Sequence, residues 1–266
     1  MSNPMMRRSL NEGTKAGQQL QTPSADQLNA MYMAPSAQPQ RPVDERVMTY
    51  DDVFMKSLLC FAVLLVGAAV GWFAPILTLP AVLGGLVLGL VNAFKKEPSP
   101  ALILAYAAVE GVALGGISRA FEGLYNGIVM QAILATLCVF GVMFALFKAK
   151  IVRNSPKLMK FLLIAVGGYA IFSLISFGIT LFTGFNMRSD VHVNLFGMSL
   201  PIGILISGLA IVLAALTLIT DFDMVEQGVR NRIPERYSWL CAFSLMTTLV
   251  WLYIEILRLL SYLRSN

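Results

Sequence analysis

The stretch LVWLYIEILRLLSYL, residues 249–263, decides how this chain is read. It has the apolar continuity of a helix built for hydrocarbon, yet it carries Glu255 and, three residues on, Arg258. Three residues is neighbour spacing on a helix, so the two could neutralise each other. A buried charge costs kilocalories, and its presence in such a stretch asks for a reason. Working outward, similar runs fill most of the chain. Of its 266 residues, 57% are hydrophobic and 13% charged, which fits membrane spans and not a water-soluble core.

Seven apolar runs occupy about 55–74, 77–94, 100–118, 127–147, 158–182, 200–220 and 238–262. Each has roughly the 17–25 residues that cross a bilayer as a helix. The runs are continuous and not alternating, which excludes a transmembrane barrel. The expected fold is all-α, with seven transmembrane helices over residues 53–266. Gly67/Gly71, Gly85/Gly89, Gly111/Gly115 and Gly203/Ser207 recur at helix-packing spacing and predict close backbone approach in one bundle. Residues 1–52 are a different polymer. They are rich in Gln, Ser, Asn and Pro, as in TPSADQLNAMYMAPSAQPQRP, and are expected to be a disordered polar tail. No apolar stretch follows Arg7 and Arg8, so the tail does not read as a signal peptide.

The connections predict orientation. With seven crossings, sixteen bases fall on the side of the tail, in the tail itself, KKEPSP, KAKIVRNSPKLMK and VRNRIPERY. The other side has four: Arg119, Arg188, Arg258 and Arg264. Such a bias predicts a multi-pass membrane protein with a cytoplasmic N-terminus and an external C-terminus; the plasma membrane is its expected location.

Four acids fall in or at the edge of spans: Glu110, Asp221, Asp223 and Glu255. Intramembrane acids are candidates for function, because each costs free energy unless paired, protonated or wetted. Glu110 lies about 15 Å into the third span, with no base within two turns. Asp221 and Asp223, at the end of the sixth, point about 200° apart, so at most one faces a given interior. The bland alternatives are a structural Glu110, solvated aspartates at a helix end, and a self-neutralising Glu255–Arg258 pair.

Other chemistries fare badly. One histidine, His192, in a polar loop, cannot make a two-histidine zinc site, and there is no HExxH or GxSxG. No enzyme activity and no cofactor is expected. Cys60, Cys138 and Cys241 all lie in apolar runs and read as packing. No lysine follows Lys160, so the last span cannot form a retinal Schiff base.

LYIEILRLL at 252–260, DFD at 221–223 and VEGVALGGIS at 109–118, in that order and spacing with seven spans, resemble the Bax inhibitor (transmembrane Bax inhibitor motif, YccA-like) family, in particular its bacterial inner-membrane branch with a long polar N-terminal tail. The resemblance covers roughly residues 50–264. It implies six helices around a central C-terminal seventh, and a pH-sensitive calcium leak controlled by one acid on the sixth span and one on the seventh. The former falls on Asp223 or Asp221. The latter, after Leu252-Tyr253-Ile254, falls on Glu255, where the family has Asp. These acids are the expected pH sensor, ion pathway and weak calcium ligands, with Arg258 as latch or counter-ion. Calcium would be the transported ion, with no tight metal site. The spacing argues against direct contact between the two acids. Trp239 to Glu255 is about 24 Å of helix, while the aspartates lie near the inner edge, and Glu110 could stand between the levels. Other family members suggest an alternative: a non-transporting regulator that binds membrane-protein partners such as a quality-control protease, with the tail as docking segment. Nucleic acid is not an expected partner.

Overall fold

The computed structural model describes residues 24–26, 46–195 and 198–265. Most of the expected disordered tail therefore lies outside the described residues. The chain divides into Met1–Glu45 and Arg46–Asn266, and the helices described below belong to the second unit.

Among the described residues, seven helices are long and apolar enough to cross a membrane. They are α1 (Tyr50–Phe73), α2 (Thr78–Phe94), α3 (Pro100–Leu124), α4 (Ile128–Lys148), α5 (Pro156–Thr183), α6 (Ile202–Arg230) and α7 (Ser238–Ser265). Their starts follow local chemistry. Thr49 and Asp52 form a reciprocal capping box for α1, Pro100 and Pro156 occupy first-turn positions, and Ser155 caps α5. The sixth helix runs ten residues beyond the expected edge at 220, so Asp221 and Asp223 sit inside it and not at its end. Between α5 and α6, where the sequence reads as plain loop, lies an antiparallel hairpin of β1 (His192–Leu195) and β2 (Met198–Pro201). His192 stands exposed on β1.

The seventh helix is central. It contributes to each of three apolar clusters: with α1 and α3 through Ala242 and Met246, with α4 and α6 through Leu252 and Leu257, and with Met48 and Val53 through Cys241. The tightest pairing is α1 on α3. A Cβ at Gly67 or Gly71 would run into the carbonyls of Ala108 or Val112, and one at Gly111 or Gly115 into those of Leu64 or Ala68. The two glycine pairs noted in the sequence thus face each other, and backbone meets backbone. By contrast α5 packs mainly on α6 and leaves Leu163, Ile164 and Ile171 exposed for lipid.

Residues 46–48, which the sequence reading assigns to the tail, pack on the helices. Met48 is 1% exposed and donates its backbone N–H to Ile233 at 2.9 Å, while Arg46 accepts from Glu235 N at 2.7 Å. Apolar Val47 and Met48 make this strap part of the bundle. Cys60 and Cys241 are buried as expected, but Cys138 is on the exposed face of α4.

Candidate functional site

Glu255 is 1% exposed at the side chain and lies at the hub of a polar cluster. Arg258 Nη1 donates to Oε1 at 2.8 Å. Arg188 Nη1 reaches Oε2 at 3.2 Å. Ser207 Oγ donates to Oε2 at 3.0 Å, and the Tyr169 hydroxyl donates to Oε1. Arg188 also donates through Nη2 to Tyr169 Oη and Ser173 Oγ, each at 2.9 Å, and lies 5.4 Å from the Tyr169 ring centroid. One carboxylate therefore joins α5, α6, α7 and the loop between α5 and α6. A buried carboxylate with two cations and two hydroxyls has its oxygens satisfied, which is what makes its burial tolerable.

Arg188 corrects the expectation from sequence. The spacing of spans places it in the outer loop, yet it is 5% exposed and inserted into the bundle. Local structure aims it there. Gly184 ends α5 in the left-handed region at φ 71°, a conformation glycine adopts without a Cβ clash. Asn186 Oδ1 accepts from Arg188 N at 3.1 Å, and Asp190 Oδ2 accepts from Asn186 N at 2.8 Å. The backbone N–H of Asn186 and the Ser189 hydroxyl hold the Asp190 carboxyl below its usual range. Arg188 O then accepts from Gly203 N at 2.9 Å, where a Cβ would collide with Tyr262 and with that same carbonyl. Burial pulls the Arg188 guanidinium down, but Tyr169 and Glu255 outweigh it and hold the group above its ordinary value.

Asp221 and Asp223 part company. Asp221 is 4% exposed and faces α7, where Ser244 Oγ donates to Oδ1 at 2.6 Å. Its Oδ2 is buried and meets no partner among the described residues. Asp223, half-buried on the other face, accepts from Asn154 Nδ2 at 2.9 Å and Gln227 Nε2 at 2.6 Å. The interior-facing member of the pair is Asp221.

The acids of α6 and α7 do not touch. Glu255 pairs with Ser207 and Asp221 with Ser244, so they occupy separate rungs of an antiparallel helix pair. Fourteen residues of α6 separate Ser207 from Asp221, about 21 Å. Ala210, Ala214 and Leu218 on α6, and Met246 and Leu252 on α7, are fully buried between the rungs.

Glu110 joins neither rung. It lines a cleft of about 450 Å³ between α2, α3, α5 and α7, together with Gly85, Tyr106, Ser173 and Arg258. Gly85 leaves the room for it: a Cβ there would stand 2.7 Å from Glu110 Oε2. Arg258 and Ser173 also line a second cavity of about 350 Å³ at the hairpin end of the bundle. The two spaces meet at the Arg258 side chain.

Sequence reasoning finds Glu255 and its i+3 neighbour but misses Arg188, Tyr169, Ser173 and Ser207. Tyr169 and the serines are visible as polar groups inside apolar runs. Arg188 has a fainter signal, as one of few bases on a side poor in them.

A family model described as Bax inhibitor 1 like matches residues 3–265, nearly the whole chain. No curated protein matches.

Proposed function

The chain belongs to the Bax inhibitor 1 like family, and from that premise we propose that it is a proton-responsive ion leak, with calcium as the ion and Asp221 as the switch. The observation that carries this reading is the setting of Asp221. It is a buried carboxyl between α6 and α7, bonded to the Ser244 hydroxyl with the Thr248 hydroxyl beside it, and with no cation paired to it among the described residues. An ionised carboxylate there lacks the partners that burial demands. A proton removes the charge and suits the dry seam of Ala214, Leu218 and Leu252. Without the proton, the seam gains by admitting water or a cation. Calcium, a hard ion that prefers carboxylate oxygens, fits that opening. The described geometry is then the closed form, with Glu255 locked by Arg188 and Arg258 at the far rung.

The test is calcium entry into liposomes holding the purified chain. Flux rises with pH between about 5 and 8, the range in which perturbed carboxyls act. Asp221→Asn removes the titratable group, keeps the shape and flattens that rise. Wild-type flux that ignores pH would sink the switch assignment. An absence of flux at every pH leaves the regulator that binds membrane-protein partners.

We also place the end carrying Lys56 and the Arg46 strap in the cytoplasm of a plasma-membrane protein. The burial of Arg188 and the inward turn of Arg258 leave Arg119 and Arg264 as the exposed bases at the hairpin end, which supports this sense. A cysteine at Asn126 reacts with an impermeant reagent from outside intact cells, and one at Asn154 does not. Labelling at Asn154 would reverse the orientation.

A further inference from the structure

We propose that the cavity at the hairpin end is an oxyanion-binding site, built on one face of α7 from Arg258, Ser261 and Tyr262. Three observations carry the assignment. First, the three residues stand at i, i+3 and i+4, which places them on one side of the helix, and all three line the cavity. Second, their donors are unspent. Among the described residues, Arg258 gives only Nη1, to Glu255, leaving Nε and Nη2 without acceptors, and the hydroxyls of Ser261 and Tyr262 make no side-chain hydrogen bond. Third, among the described residues no carboxylate lines the cavity, whereas two guanidinium groups, Arg188 and Arg258, do.

The charge balance agrees. Glu255 lies beneath the two arginines, and one carboxylate cannot neutralise both. The nearest other acid in the loop, Asp190, is turned to Asn186 N and Ser189 Oγ. Glu110, across the shared wall, makes no ion pair with Arg258 among the described residues. A cavity of about 350 Å³ bordered by two guanidinium groups and by the hydroxyl-bearing Ser261 and Tyr262 suits a phosphate-like oxyanion. The side chain of Arg258 is 35% exposed, so the fork is reachable, while Glu255 at 1% is not. The same chemistry is offered by free phosphate and by the headgroup of an anionic phospholipid. The inference does not depend on the leak, because its readout is binding.

The experiment uses the purified full chain. Inorganic phosphate is titrated into protein in neutral detergent and followed by calorimetry. In parallel, the chain is reconstituted in phosphatidylcholine nanodiscs with and without phosphatidylglycerol, and the retained lipid is counted by native mass spectrometry. Arg258→Gln weakens binding at least about tenfold, the scale of a lost charge-assisted contact. Because that change also disturbs Glu255, Ser261→Leu serves as a second variant. It fills the cavity without touching the ion cluster and produces a similar loss. Arg264→Gln, whose arginine is committed to Asn126 O and Gln131 Oε1, leaves binding unchanged. Saturable phosphate binding that both cavity variants weaken identifies a free-anion site. Retention of phosphatidylglycerol alone, lost in both variants, identifies a headgroup site. Binding of neither probe, or binding that both cavity variants leave intact, overturns the proposal.

Discussion

Two rungs of the same helix pair hold acids in opposite ways. At one, Glu255 has two arginines, a tyrosine and a serine. At the other, Asp221 has Ser244, with Thr248 beside it, and an oxygen that meets no hydrogen-bond partner among the described residues. Both are buried, so burial alone does not distinguish them. The difference lies in countercharge. A carboxylate between two cations acts as a clamp across four segments. A carboxyl with no countercharge is free to change state, and its surroundings must respond. Of the two acids on this helix pair, the one with more partners suits a structural role, and the one with fewer is the switch in the proposed leak.

The largest effect expected from this contrast is at the clamp. Glu255→Ala strands Arg188 and Arg258 without their carboxylate, and breaking a buried ion cluster costs about 3–5 kcal/mol. Thermal unfolding in detergent should fall accordingly. Adding Arg188→Met to Glu255→Ala should recover part of the loss, because the second change removes one of the stranded charges. A double variant as unstable as the sum of its parts would mean that Arg188 and Glu255 are not energetically coupled. At Asp221 the ordering is reversed. Asp221→Asn keeps the Ser244 hydrogen bond and should change stability little, while removing the pH response of flux. If Glu255→Gln flattens the pH response and Asp221→Asn leaves it intact, the roles of the two rungs are exchanged.

Much of this is legible in the sequence. Seven continuous apolar runs map onto seven helices, and the Gly67/Gly71 and Gly111/Gly115 pairs mark the α1–α3 contact. Glu255 stands out as an acid in hydrocarbon. The phase of Asp221 is also present, though fainter. Gly203, Ser207, Ala210 and Ala214 form a stripe of small residues along α6, and that stripe leads to Asp221 and away from Asp223. Arg188 is harder to see, because it lies 67 positions from Glu255. Helical periodicity reports neighbours on one element. It carries no information about a loop that turns back into the bundle, and such a loop is set by a glycine cap, an Asn186–Asp190 turn and a hairpin whose registers only the fold reveals.

The smallest expected effect comes from the other face of α6. Asp223 is half-buried and bonds Asn154 and Gln227, groups that donate to a neutral carbonyl as readily as to a carboxylate. Asp223→Asn keeps one acceptor oxygen for them and loses only the charged component of the bonds, about 1 kcal/mol or less at a partly solvated site. Flux and its pH dependence should remain close to wild type. The comparison with Asp221→Asn is informative because the two changes are chemically identical and two residues apart. They differ in the face of the helix and in the presence of alternative partners. Equal loss of pH response in both variants would show that the whole end of α6 titrates as a unit. Loss in Asp223→Asn alone would move the switch off the α6–α7 seam to the contact between α6 and the segment before α5. A response that survives in Asp223→Asn and disappears in Asp221→Asn is the outcome that the unpartnered oxygen predicts.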